Sequence, residues 1–154
     1  MPAVKKKSVA LPRSAFWDAS ALIPLCCQQP QTTAARQARR LFPVLIVWWA
    51  TSVECSSALR RLERAQDLTS QETQQAFQEL GRLRLRWTEI APLDEVRGTA
   101  ERLLGIHGLR AADSLQLAAA LVWCKGLPKG CTFISGDDRL LDAARKEGFN
   151  IARV

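Results

Sequence analysis

The sequence has a single histidine, and its five cysteines (Cys26, Cys27, Cys55, Cys124, Cys131) include no C-x-x-C pair. That leaves little for zinc, and an odd set without metal spacing reads as small buried hydrophobes in a reducing compartment. No apolar run approaches the roughly 20 residues of a membrane span, so no membrane association is expected. The start, M-P-A-V-K-K-K-S-V-A-L-P-R, is basic, but its apolar part from Val9 to Leu11 is too short for a signal-peptide core. Export is therefore not expected, and the cytoplasm is the expected location. A Gly-rich phosphate loop of the form G-x-x-x-x-G-K-[ST] is missing, which excludes that route to phosphate chemistry. There is no internal repeat or low-complexity linker.

What remains is ordinary in bulk. At 154 residues the chain fits one domain that buries roughly two-thirds of the surface its unfolded form exposes. Residues 1–13 read as a disordered basic leader and residues 14–154 as a single domain. The net charge of +7 invites a nucleic-acid reading. Without residues 1–13, which hold Lys5, Lys6, Lys7 and Arg13 and no acid, 18 basic residues face 15 acidic ones, a net of +3. Arginine supplies 16 of the 22 positive charges, gathered at Arg36, Arg39 and Arg40, at Arg60, Arg61 and Arg64, and at Arg82, Arg84 and Arg86. Its planar fork suits phosphate. Solvated helix faces and ion pairs to Glu63 or Glu79 explain any one cluster equally well.

The chain is organised around A-F-W-D-A-S-A-L-I-P-L, residues 15–25. Ala15 to Trp17 read as a buried strand and Ala19 to about Gln28 as an apolar helix, which places Asp18 at the strand's C-terminal end. Ligand sites of open α/β sheets lie there. Thr32 to Leu41 reads as a helix closed by Pro43, and V-L-I-V-W-W (Val44 to Trp49) as a strand buried on both faces, hence parallel. Helices are predicted over Thr51 to about Ala65, from a Thr69 or Ser70 cap to about Leu85, and over Leu93 to Ile106, with a short strand over Trp87 to Ala91. Ala111 to Trp123 is apolar on every side and reads as a core helix. A strand over Cys131 to Ser135, a helix over Asp137 to Glu147 and a last strand near Asn150 to Arg153 complete an α/β chain with a parallel sheet of about five strands.

Four acids occupy equivalent places: Asp18 after the first strand, Glu54 and Asp113 opening helices, and Asp137 just past the Cys131 to Ser135 strand. Each has a plain explanation. Thr51 with Glu54 and Asp113 with Gln116 fit capping boxes, and Asp137 or Asp138 fits a helix cap. Capping does not require an apolar setting, however, and three of the four acids sit among residues destined for the interior. Converging carboxylates repel one another unless some are protonated or a divalent cation offsets them, and an all-oxygen set suits Mg²⁺ or Mn²⁺.

F-W-D-A-S-A-L-I-P-L, T-S-V-E-C-S-S-A-L-R-R-L, L-R-A-A-D-S-L-Q-L-A-A-A-L and F-I-S-G-D-D-R-L-L-D-A-A, in this order and spacing, resemble the PIN-domain ribonucleases, in particular the VapC toxins of VapBC toxin-antitoxin pairs. The resemblance covers about Ser14 to Val154. It implies a PIN-like three-layer sandwich in which Asp18, Glu54, Asp113 and Asp137 form a catalytic quartet that binds Mg²⁺ or Mn²⁺. It also implies supporting roles for Ser20, Ser135 and Asp138, and nucleic-acid contacts from Arg60, Arg61 and Arg110. Asp137 is preferred to Asp138 because of its spacing from Ser135. The implied activity is endoribonuclease cleavage by a water activated at the metal, and the implied partners are RNA, a cognate antitoxin and a second copy of the chain in a homodimer. The basic leader departs from the family's usual start.

Other readings stay open at this stage. A non-catalytic PIN-like module would keep the fold and use the acids only as caps. A phosphoacceptor or phosphohydrolase on a similar sheet is disfavoured because D-A-S, not D-x-D, follows the first strand. His107 reads as an ordinary turn residue rather than a general base. Trp17, Trp48, Trp49, Trp87 and Trp123 are expected mainly in the core or an interface.

Overall fold

The computed structural model describes residues 12–154, so most of the proposed basic leader lies outside the described residues. The chain runs β1 (Ser14–Trp17), α1 (Ala19–Cys26), α2 (Thr32–Leu41), β2 (Val44–Trp48), α3 (Thr51–Arg64), α4 (Ser70–Arg84), β3 (Thr88–Ile90), α5 (Asp94–Ile106), α6 (Ala111–Trp123), β4 (Thr132–Ser135), α7 (Asp138–Glu147) and β5 (Asn150–Arg153). The five strands form one sheet in the order β3-β2-β1-β4-β5, every pair parallel.

The alternation of side chains along each strand divides the core in two. Ala15, Trp17, Leu45, Val47 and Ile134 face α1 to α4, where they pack with Leu22, Cys55, Leu59, Ala76 and Leu80. Phe16, Ile46, Trp48 and Phe133 face α5 to α7, against Val96, Leu103, Leu117, Leu140 and Ala144. Helices thus cover both faces of the sheet, as the expected three-layer sandwich requires. Phe16 stacks on Phe133 at 5.3 Å across the β1–β4 pair, joining the two central strands on the second face. Fully burying one such ring stabilises the fold by roughly 1.5–3 kcal/mol.

Most predicted elements hold to within two residues. Helix α1 ends at Cys26, short of Gln28, and Thr32 ties the following turn by donating its hydroxyl to Pro24 O at 3.0 Å. Helix α4 starts on the capping box of Thr69 with Glu72. Gly148 ends α7 at φ 109°, a left-handed conformation in which an added Cβ would meet Pro128 at 3.2 Å.

The two expected capping boxes, Thr51 with Glu54 and Asp113 with Gln116, do not form. Ala50 is the residue before α3 and Arg110 the residue before α6, each without a side-chain cap, so Thr51 and the segment Asp113 to Gln116 lie inside their helices. The physical reason is tertiary packing: one side chain of each expected box turns into the interior between the two helices instead of back to its own helix end. Thr51 and Gln116 are fully buried and find each other instead, with Gln116 Nε2 donating to Thr51 Oγ1 at 3.1 Å.

Candidate active site

Strand β1 connects outward to β2, whereas the chain after β3 returns across the sheet to β4, so the order reverses between β1 and β4. The C-terminal ends of those two strands flank a topological switch point, where a crevice opens. Asp18 directly follows β1 there, as the N-cap of α1, and Ser135 ends β4. An open cleft of about 1050 Å³ lies over this edge, and its walls include Asp18, Ser20, Glu54, Asp113, Asp137 and Asp138.

Asp18 is 6% exposed and is held by three donors. Ser20 N–H donates to Oδ1 at 2.9 Å, Ser20 Oγ to Oδ2 at 2.6 Å, and Ser135 Oγ also to Oδ2. Each hydroxyl is oriented in turn by a backbone N–H: Gly136 donates to Ser20 Oγ at 2.8 Å and Asp137 to Ser135 Oγ at 2.9 Å. The hydroxyl protons are thereby committed to Asp18. Burial still pushes the Asp18 carboxyl above its ordinary value, the two serines pull it back, and the nearby charge of Asp137 adds to the rise.

Glu54 lies in the first turn of α3, half-buried, and accepts from Gln116 Nε2 at 3.0 Å. Burial first, then the charges of Asp18 and Asp113, push its carboxyl up to about 7, with the Gln116 bond opposing. Asp113, in the first turn of α6, is also raised, by burial and by the charges of Asp137 and Asp18; Arg110 works the other way. The four acids predicted from sequence therefore face one cleft and act on one another electrostatically.

The neighbouring aspartates separate cleanly. Asp137 Oδ1 caps α7, accepting from Arg139 N at 2.8 Å and Leu140 N at 3.1 Å, and its charge bears on both Asp18 and Asp113. Asp138 is exposed and turned to β5, in a two-bond ion pair with Arg153 at 2.6 and 3.1 Å.

The arginines divide as well. Arg61 and Arg110 line the cleft, and so does Arg139, which the sequence did not single out; among the described residues none of the three is ion-paired. Arg60 stands outside the cleft wall: it pairs with Glu63 at 2.9 Å and lies over the Phe77 ring at 4.6 Å. His107 contacts Glu147 at 2.8 Å and lines a separate depression, away from the acids. Trp17 and Trp48 are core residues, while Trp49 is exposed.

Among solved structures, the chain is similar over this whole architecture to VapC20 of Mycobacterium tuberculosis, described as a Sarcin-Ricin loop cleaving toxin, with a TM-score of 0.61, 17% identity, and coverage of 92% of this chain and 100% of that one. The fold is PIN-like. FitAcB of Neisseria gonorrhoeae matches at a TM-score of 0.61 and 14% identity over 90% of this chain and 96% of that chain. A toxin-antitoxin complex of Klebsiella pneumoniae matches at 0.57 and 17% over 80% and 87%. No protein-family profile matches the sequence, and no curated protein sequence does. At these identities the likeness resides in the fold.

In this PIN-type fold the donor set at the cleft is all carboxylate and hydroxyl oxygen, the chemistry that Mg²⁺ and Mn²⁺ prefer. Among the described residues no three Asp, Glu, His or Cys side chains form a ready-made metal cluster. The acids instead surround the cleft with like charge that raises the pKa of Asp18, Glu54 and Asp113, and a divalent cation offsets such repulsion. The chemistry of the donor set thus suits a divalent cation, while the carboxylates are not drawn into one cluster.

Sequence reasoning missed Gln116 as the shared partner of Glu54 and Thr51. A signal was available: Gln116 is a lone amide in the otherwise apolar run L-Q-L-A-A-A-L, and a buried amide needs partners.

Proposed function

We propose that the chain is a Mg²⁺- or Mn²⁺-dependent endoribonuclease, the toxin of a toxin-antitoxin pair. The observation that carries the reading is Asp18, buried at the switch point of a PIN-type sheet and charge-coupled to Glu54 and Asp137. Its solved neighbours with toxin titles support the toxin role.

Asp18, Glu54, Asp113 and Asp137 would hold the cation. When bound, Mg²⁺ or Mn²⁺ lowers the pKa of water and offsets charge on the leaving oxygen. The chain's own residues supply the rest. Ser20 and Ser135 fix the Asp18 carboxylate, removing its rotational freedom before substrate arrives. One of these carboxylates would also accept the proton of the attacking water. Arg61, Arg110 and Arg139 bind phosphates flanking the one cleaved, since guanidinium forks suit phosphate. Attack by water leaves 5′-phosphate and 3′-hydroxyl ends. A cognate antitoxin that covers the acidic cleft and a homodimer complete the proposed assembly, with the cytoplasm as its compartment.

The test is cleavage of total cellular RNA by purified protein with Mn²⁺ or Mg²⁺, beside a chelator control and Asp18→Asn. Metal-dependent cuts lost in the variant are expected. Equal behaviour of wild type and variant would leave the fold as a non-catalytic RNA- or protein-binding module.

A further inference from the structure

Gln116 is fully buried in the centre of the apolar α6, one turn beyond Asp113. Its amide nitrogen makes two bonds, to Glu54 Oε1 at 3.0 Å and to Thr51 Oγ1 at 3.1 Å, both on the first turn of α3. Its carbonyl oxygen, Oε1, is buried and has no partner. The helix that continues from it is leucine and alanine on all sides: Leu117, Ala118, Ala119 and Ala120 are all fully buried. The amide is kept here with its carbonyl unpaired, while its nitrogen serves the buried Thr51 hydroxyl oxygen and the Glu54 carboxylate.

From this geometry we infer that Gln116 is a positioning residue for the proposed cation site, holding the Glu54 carboxylate toward Asp18 and Asp113. The inference rests on the proposed function. The amide is suited to the task because it is neutral: it donates to the carboxylate without adding a cation that would compete for it. Both hydrogens of the amide nitrogen are engaged from α3, so rotation about the terminal bond of Gln116 is blocked, and Glu54 is tied across the cleft to the helix that bears Asp113. Partners of this sort orient ligating carboxylates, and losing one weakens metal binding by about 10- to 100-fold.

The experiment titrates Mn²⁺ into metal-free wild type, Gln116→Met, Gln116→Leu and Asp18→Asn, reading free Mn²⁺ by electron paramagnetic resonance, with the melting temperature of each. The expected result is that both Gln116 variants fold, with a somewhat lower melting temperature because buried Thr51 Oγ1 loses its donor, bind Mn²⁺ at least 10-fold more weakly, and regain most of their turnover at saturating Mn²⁺. A merely structural glutamine would lower the melting temperature and leave affinity in place. Wild-type Mn²⁺ affinity in both variants, or failure of both to fold, overturns the positioning role while Asp18→Asn still reports on the site. If wild type itself binds no Mn²⁺, the functional reading and the positioning role fall together.

Discussion

Ser135 and Asp18, 117 residues apart in the chain, meet at the ends of two neighbouring parallel strands, where the serine hydroxyl donates to carboxylate Oδ2. Ser20 reaches the same oxygen from the first turn of α1. Both hydroxyls favour the ionised carboxylate that burial disfavours. Ser135→Ala is expected to lower RNA cleavage by about 10- to 100-fold, since it removes one of the bonds that orient a ligating carboxylate. Ser135→Thr keeps the hydroxyl and is expected to retain most of the rate. Single-turnover cleavage of one defined RNA separates the two, and an alanine variant as fast as wild type would refute the role.

A pH dependence follows from Glu54. Its carboxyl is raised from an ordinary 4.5 to about 7 by burial and like charge, so the folded protein binds the proton more tightly than the unfolded chain does. The stabilisation from that proton is fully present below about 4.5 and is lost as pH rises through about 7. Metal-free protein should therefore melt at progressively lower temperature as pH rises across this window. Added Mn²⁺ should reverse the trend at the upper end, where the carboxylate is ionised. Melting curves with and without Mn²⁺ check this; a Glu54→Gln variant should show a flatter profile.

Asp137 and Asp138 make opposite predictions despite their adjacency. Asparagine caps a helix about as well as aspartate, so Asp137→Asn should leave the melting temperature nearly unchanged while abolishing cleavage. Asp138→Asn breaks only an exposed pair with Arg153 and should change neither rate nor stability appreciably. Full activity in Asp137→Asn would remove it from the site.

The arginines can be told apart by salt. If Arg61, Arg110 and Arg139 each contact a phosphate of single-stranded RNA, replacing any one with glutamine should reduce the slope of log affinity against log salt by about 0.7. Arg60→Gln should not change the slope, because Arg60 is engaged by Glu63 and Phe77 away from the cleft. Filter binding in a chelator, across a salt series, measures this without cleavage. A slope altered by Arg60 and unaltered by Arg61 would reverse the assignment.

Much of the architecture was legible before any coordinates. Period and length separate V-L-I-V-W from the helices around it, and a strand so apolar on both sides has to be parallel and covered on both faces. The four acids were legible for a related reason: a carboxylate inside an apolar run violates the local pattern, and such violations mark sites. Local sequence cannot settle contacts between distant segments. Whether Thr51 and Gln116 cap their own helices or bond to each other depends on how α3 meets α6, and their 65-residue separation hides that choice. Arg60 and Arg61 are adjacent in sequence, but the 100° step between helix neighbours sends one to Glu63 and Phe77 and the other to the cleft. The sequence by itself determined the elements, the layers and the four acids. Only the packing of the layers decided which hydroxyls, amide and guanidiniums lie beside them, because hydrogen bonds and charge act through space and are indifferent to distance along the chain.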